Sequence, residues 1–347
     1  MLNRRGQQFL IIALILISDL RRISCQDFTY DGPLGPMHWG EQYNGCDGKY
    51  QSPINIDPKF VNKVSLPPLS FSGFKTSPAS AKITNNGHTA MVTMDFKEKA
   101  TVTGGPLDGE YEFVQLHFHW GDHDGYGSES LIDHKSFPVE LHMVFYKTKY
   151  DSFTNALDHP NGVTVLASLF EVAPDPNPNF EELTILVNDI VKPDTEREFL
   201  NPPNLLEFLS PDLIHYYTYN GSLTTPPCSE GVTWIDFATP ISISSNQIAS
   251  FRRIRDHHGL LLKHNSRPIQ PLNGRTVLFN TEPNDIESDK NKYDINDIRY
   301  DLQDLDKAES KYEKHTNSGK NYSQTIHGAN KLVTLLYVLI ISLIIRE

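Results

Sequence analysis

The sequence predicts a mainly β protein: one large domain on a twisted, mostly antiparallel central sheet, with a few short helices at its periphery. Three observations predict it. Short runs rich in β-branched and aromatic residues recur from residue 28 to about 280, separated by Gly, Pro and Asn. Helical periodicity is confined to two good stretches, Asn179 to Val191 and Ser245 to Arg255. No internal repeat or low-complexity tract breaks this region, and a hydrophobic share of 38% over 347 residues supplies a real core.

The strand candidates, in order, are 90–94, 112–119, 140–146, 164–170 and 232–237. They are short runs separated by Gly, Pro and Asn punctuation, as strands of a mainly antiparallel sheet require. With 21 Gly and 23 Pro, usage is ordinary, which excludes a collagen-like chain. A formal net charge of −12 lacks the basic footprint of a nucleic-acid binder, so no nucleic-acid partner is expected. Fourteen His against 3 Cys point to metal or acid–base chemistry rather than a disulfide scaffold.

The two ends read as addresses. Arg4 and Arg5 precede an apolar run from Phe9 to Ile17 that is too short to span a bilayer. Residues 1–25 are therefore expected to be a secretory signal, and 26–282 the domain itself. Beyond Pro283 the composition turns acidic: eleven acidic and six basic residues lie between Thr281 and Thr316. Residues 283–317 are expected to be a solvated stalk, with Ile295, Ile298, Leu302 and Leu305 at helical spacing. Small residues Asn317-Ser318-Gly319, a polar spacer and the apolar run Leu332 to Ile345 match a glycosylphosphatidylinositol signal. Lipid attachment is expected at Asn317 or Ser318, with 318–347 removed; a short tail anchor is the rival.

These ends imply the outer face of the plasma membrane, reached through the secretory pathway. If Cys25 leaves with the signal, Cys46 and Cys228 remain as the one pair in an oxidising compartment, either bridged or as two buried thiols. Sequons stand at Asn220 and Asn321. Asn321 lies beyond the expected lipid site, and Asn220, a candidate glycosylation site, sits in a strongly patterned stretch read as a loop.

Gln115-Leu116-His117-Phe118-His119-Trp120 carries the chemistry. On a strand, alternate residues share a face, so Gln115, His117 and His119 point one way. Glu140, His142 and Val144 repeat the pattern on another strand. Three His from neighbouring strands leave a tetrahedral zinc ion one open position, as catalytic sites require. Gln115 and Glu140 are suited to hold the imidazoles in place. A lone His-x-His pair is more often an exposed or hydrogen-bonded pair; His142, with Glu140 two residues before it, strengthens the case.

This stretch, with Gly121 and Gly127-Ser128-Glu129, resembles the core signature of the α-class carbonic anhydrases. The likeness runs in order through Gln51-Ser52-Pro53-Ile54-Asn55-Ile56, Asn85-Asn86-Gly87-His88, Gly104-Gly105-Pro106-Leu107-Asp108-Gly109, residues 217–227 and Arg267-Pro268-Ile269-Gln270-Pro271-Leu272. It spans His38-Trp39-Gly40 to about Phe279. The Cys46 and Cys228 pair also matches the disulfide of secreted and membrane-anchored members.

The resemblance implies the α-carbonic anhydrase fold and one Zn²⁺ per chain, held by His117, His119 and His142. It implies reversible hydration of CO₂ to bicarbonate and a proton by zinc-bound hydroxide; in this family the metal lowers the pKa of its bound water to about 7. Thr224 would accept from the hydroxide and donate to Glu129, and Val144, Val165, Leu223, Thr225 and Trp234 would line the substrate pocket with it. His88 matches the proton-shuttle position. Two departures concern the shuttle path: Glu41 stands after Trp39-Gly40 where the family has Tyr, and Met91 replaces a commonly polar cavity residue. His123, His134, His159, His257 and His258 match no role. A bicarbonate transporter is a partner the family suggests, and esterase activity would accompany the hydration. The alternative is a non-catalytic binding ectodomain on the same fold, which typically lacks one or more of the zinc ligands.

Overall fold

The computed structural model describes residues 28–286. The expected signal, the acidic stalk from residue 287 on, the lipid-attachment site and Asn321 lie outside the described residues. Fourteen strands occur among them. The first seven are β1 (Asn55–Ile56), β2 (Asn62–Val64), β3 (Ser70–Ser72), β4 (Ser80–Asn85), β5 (Ala90–Asp95), β6 (Thr101–Thr103) and β7 (Tyr111–Trp120). The rest are β8 (Leu131–Ile132), β9 (Val139–Lys147), β10 (Val163–Ala173), β11 (Thr195–Glu198), β12 (Tyr216–Ser222), β13 (Glu230–Ser244) and β14 (Leu278–Asn280).

Twelve of them form one sheet, in the order β11-β4-β5-β7-β9-β10-β13-β12-β14-β2, with β6 also on β7 and β3 on β6. Most pairings are antiparallel, as expected. The exceptions in this sheet are β10 with β13 and β14 with β2, which run parallel. All five expected strands are present, each longer than its apolar run. β13 even passes through Pro240, where the sequence signals a stop. The register there jumps from Ser168↔Phe237 to Phe170↔Ile241, so Pro240 sits in an irregularity of the ladder. A residue with no N–H is tolerated there because that position need not donate to the neighbouring strand.

The helices are shorter than their periodicity. The α-helices include α1 (Trp39–Gln42), α2 (Phe153–Ala156), α3 (Glu181–Val187) and α4 (Ser245–Phe251), and residues 283–286 are helical as well. α4 starts on a reciprocal cap, in which Ser244 and Gln247 each accept from the other's backbone. α1 and α2 are single turns, too short for any periodic signal. Among the described residues no helix is long and apolar enough to cross a membrane.

The two sheet faces bury different things. On β7, Leu116, Phe118 and Trp120 enter the larger core, where Phe118 and Trp120 pack on Phe251 of α4. The opposite face carries a smaller apolar cluster of Ile54, Ile56, Val144, Val165, Tyr219 and Trp234. Gln115, His117 and His119 look out on that face, beside this cluster, because a strand alternates its side chains.

One member of that second face is anomalous. Asp236 on β13 is 2% exposed, and neither carboxyl oxygen has a hydrogen-bond partner. Burial, then the charge of Glu140, pushes its carboxyl well above the usual range. A folded-state pKa above the unfolded one means that the neutral acid's contribution is present below the unfolded value and is lost as pH rises through the folded value. Asp236→Val is therefore expected to raise the unfolding free energy at pH 7 by at least about 1 kcal/mol, the lower range for an unsatisfied buried polar group. Urea unfolding at several pH values checks this: the gap to the parent should narrow as pH falls towards 4.

Candidate metal centre

β7 and β9 lie side by side in the sheet, with His117 opposite His142 and His119 opposite Glu140. The register therefore brings the three imidazoles together without any loop. Their ligand nitrogens all lie within 4.8 Å of one another. Each ring is oriented by a different group. His117 donates from Nδ1 to Gln115 Oε1 at 3.0 Å, and His119 donates from Nδ1 to the Asn265 carbonyl at 2.8 Å. His142 donates instead from Nε2 to Glu140 Oε1 at 2.8 Å. The atoms left to face one another are thus Nε2 of His117, Nε2 of His119 and Nδ1 of His142.

The donor set fits a metal. His119 Nε2 is buried with no hydrogen-bond partner, an orphan that an ion would satisfy. Burial first, then neighbouring imidazoles, holds His117 and His119 well below the ordinary histidine range, so both are neutral and ready to ligate. Three imidazoles leave a tetrahedral ion one open position, and nitrogen donors suit zinc.

Glu140 is anchored from its other oxygen, which accepts the backbone N–H groups of Glu129 and Ser130, both at 2.8 Å. This fixes the carboxylate that fixes His142. Glu140→Gln leaves one acceptor oxygen where donors stand on both sides, so either His142 or the backbone N–H groups of Glu129 and Ser130 lose their acceptor. We expect zinc affinity to fall about 10- to 100-fold, checked by competition with a chromophoric chelator, with the fold retained by circular dichroism.

Glu129 is 1% exposed. Its Oε1 accepts the Arg267 backbone N–H at 2.8 Å, while Oε2 makes no hydrogen bond and lies 3.9 Å from His142 Nδ1. Burial pushes the carboxyl up. The Arg267 N–H and, to a lesser degree, the approach of the Thr224 hydroxyl oppose this. Arg267 itself is buried among the Gln51 side chain and the carbonyls of Ser52 and Cys46, and burial pushes its guanidinium down to about 10.

The cleft above the imidazoles has two walls. One encloses about 280 Å³ and is mostly apolar, lined by Phe153, Leu157, Val165, Leu223, Pro227 and Trp234, with Thr224 and Thr225 on it. The other, about 140 Å³, holds Asn86, His88, Thr89, Tyr30 and Phe28, with Met91. Gln115, His117 and Thr225 border both. The expected pocket residues Val165, Leu223, Thr225 and Trp234 are on the wall. Val144 is not: it is buried in the apolar cluster behind it.

Two expectations need correction. Glu41 does not stand at the cleft; it is exposed on α1, where His38 Nδ1 lies 2.8 Å from its carboxylate. The tyrosine at the cleft is Tyr30, whose hydroxyl is held protonated by burial and by the charge of Glu129. Asn220 is not in a loop but on β12, paired with Thr233 of β13, with its side chain exposed. Phe28, Tyr30, Phe153 and Leu157 carry no local signal in the sequence: the first two precede the matched motifs, and the others begin and cap a single-turn helix.

Cys46 and Cys228 are joined, with Cα atoms 4.8 Å apart across 182 residues. The bridge resolves the choice between a bond and two free thiols. It ties the segment after α1 to the loop that follows Thr224 and Thr225.

The eukaryotic-type carbonic anhydrase family model matches residues 34–281. Carbonic anhydrase 7 from Homo sapiens and from Mus musculus are each 42% identical over 252 residues, which is 70% of this chain and 93% of either relative. The family's cofactor is zinc, the metal that the three converging imidazoles fit. Fold, donor set and sequence agree: the chain belongs to the eukaryotic-type carbonic anhydrase family.

Proposed function

We propose that this chain interconverts CO₂ and water with bicarbonate and a proton at the outer face of the plasma membrane, with His88 as the proton shuttle. The observation that carries the chemistry is the convergence of His117, His119 and His142 at a cleft with one apolar and one polar wall. Zinc bound there supplies Lewis-acid activation of a water at neutral pH. The chain does the rest. Val165, Leu223 and Trp234 offer CO₂, which is small and apolar, a wall with no competing charge. The charge of a bound metal ion would favour the carboxylate form of Glu129 against the cost of burial, and a carboxylate can only accept, so the Thr224 hydroxyl donates to it and keeps its oxygen as an acceptor for the attacking water. That one-way chain orients the nucleophile towards the apolar wall.

His88 lies on the polar wall, and an ordinary imidazole takes up and releases protons near neutral pH. The test is stopped-flow CO₂ hydration with zinc content measured on the same sample. Thr224→Ala should lower kcat/KM about 100-fold through misorientation while keeping one zinc per chain. His88→Ala should slow turnover in weak buffer only. A folded, zinc-free, inactive protein would instead favour a non-catalytic binding ectodomain.

The location rests on the basic-then-apolar start, the small-residue, spacer and apolar-tail pattern at the end, and a disulfide that needs an oxidising compartment. In this reading residues 1–25 and 318–347 are removed, 26–282 is the enzyme and 283–317 its stalk. Asn220 is open to glycosylation, and a bicarbonate transporter is the natural neighbour. Phosphatidylinositol-specific phospholipase C should release the activity from intact cells; activity that appears only after lysis would refute the surface location.

A further inference from the structure

His257 matches no role in the sequence, yet it stands beside His88. The two rings approach edge to face, with centroids 5.7 Å apart and planes at 66°. The other side of His88 stacks on Phe28 at 3.9 Å and 9°. His88 is thus held between an inert ring and a titratable one. His257 Nε2 lies 3.3 Å from Asp194 Oδ1. The Asp194 side chain is 78% exposed and that of His257 29%, so the three groups step from the cleft to solvent.

The arrangement is built by one buried residue. Asn85 accepts the Gly87 N–H on Oδ1 at 2.9 Å, in the turn that carries His88. Its Nδ2 donates to the carbonyls of Val191 at 3.1 Å and Arg255 at 3.0 Å, and its own carbonyl accepts the Asp194 N–H at 2.8 Å. The segments bearing His88, Asp194 and His257 are therefore fastened to a single side chain. Gly87 has φ of +84°, and a Cβ there would fall 2.0 Å from His257 Nδ1. Glycine is what lets that ring lie over the turn. The neighbouring charges are engaged elsewhere: Asp256 Oδ1 accepts the N–H groups of His258 and Leu260, and Arg255 Nη1 donates to the Gly259 carbonyl.

We infer that His257 and Asp194 form the outer half of a two-histidine proton relay, which carries protons from His88 to bulk solvent. The inference rests on the reading of His88 as the shuttle. With Asp194 as acceptor, neutral His257 carries its proton on Nε2 and leaves Nδ1 free to accept. A proton released by His88, directly or through one bridging water, arrives on Nδ1. The Nε2 proton leaves past Asp194 to buffer, which leaves the ring protonated on Nδ1; an exchange with solvent, in which Nδ1 loses a proton and Nε2 regains one, resets the tautomer. No electron moves, and one proton enters for each that leaves.

The test uses the zinc-loaded protein with His257→Ala, Asp194→Asn and His88→Ala, by stopped-flow in weak and strong buffer. It is joined by an NMR pH titration of the His88 imidazole. His257→Ala should lower weak-buffer kcat about threefold or more, leave kcat/KM unchanged, and recover in concentrated imidazole buffer. Removing a neighbouring group that competes for the proton should raise the His88 pKa, and Asp194→Asn should give a smaller rate loss. If His88→Ala is slow while His257→Ala turns over normally with an unmoved His88 titration, the relay is overturned and the shuttle stands. If both turn over normally, the shuttle reading fails and the relay falls with it. A slow His257→Ala beside a normal His88→Ala also overturns the relay, since nothing would then pass through His88.

Discussion

His142→Ala is expected to lower CO₂ hydration by more than about 1,000-fold, since a bound metal supplies several kcal/mol of transition-state stabilisation and each 1.36 kcal/mol is tenfold in rate. Metal analysis of the purified variant should show well under one zinc per chain. The reason lies in the architecture of β9. His142 is 1% exposed, clasped by a carboxylate that is itself fixed by two backbone N–H groups. Removing the ring takes away one of three ligands and leaves Glu140 Oε1 without its donor in a buried site. The strand neighbours supply no replacement: Ala167 and His117 flank His142, and Leu169 and His119 flank Glu140, so the only imidazoles among them are the two remaining ligands. Stripping the zinc from the parent with a chelator should reproduce the activity loss, and adding zinc back should restore the parent alone. A variant that kept its metal and its rate would refute the three-imidazole site.

Replacing the disulfide, as in Cys46→Ser with Cys228→Ser, is expected to cost up to about 5 kcal/mol of unfolding free energy, the chain-entropy value for so long a loop. The bridge spans 182 residues. The damage should also reach the active site. The Cys46 carbonyl accepts from Arg267 Nη2 at 2.9 Å, and the Cys228 carbonyl accepts from Gln51 Nε2 at 3.2 Å. Arg267 in turn donates its backbone N–H to Glu129. Chemical denaturation in the absence of reductant checks the stability. Activity at a temperature where both proteins are folded separates it from the effect on Thr224 and Glu129. Equal midpoints for the parent and the double variant would show that the bridge adds nothing.

Much of this was legible in the chain. The expected strands carried the ligands because period-two alternation is a strong signal when one face is apolar and the other holds His, Gln and Glu. The motif series gave the family, the metal and the ligands together. What escaped notice had no local signal. Phe153 and Leu157 read as ordinary hydrophobes in a turn-rich stretch, and a single-turn helix swings them over the cleft. Tyr30 was missed because Trp39-Gly40 was aligned one aromatic too late, although Trp39 itself is buried and packs edge-on against Tyr30. His257 matches no role in the sequence, because only the long-range bonds of Asn85 bring it to His88. Long parallel pairing such as β10 with β13, joined by a crossover, is likewise invisible to short-range pattern.

β7 gives alternate side chains to two separate tasks: Leu116, Phe118 and Trp120 go to the core, and Gln115, His117 and His119 to the ion. A slip of one residue against β9 would exchange the two sets, putting imidazoles into the hydrocarbon interior and Leu116, Phe118 and Trp120 into the cleft. No partly correct sheet can hold the metal. Convergence of the three imidazoles is therefore a direct readout of the alignment of β7 against β9.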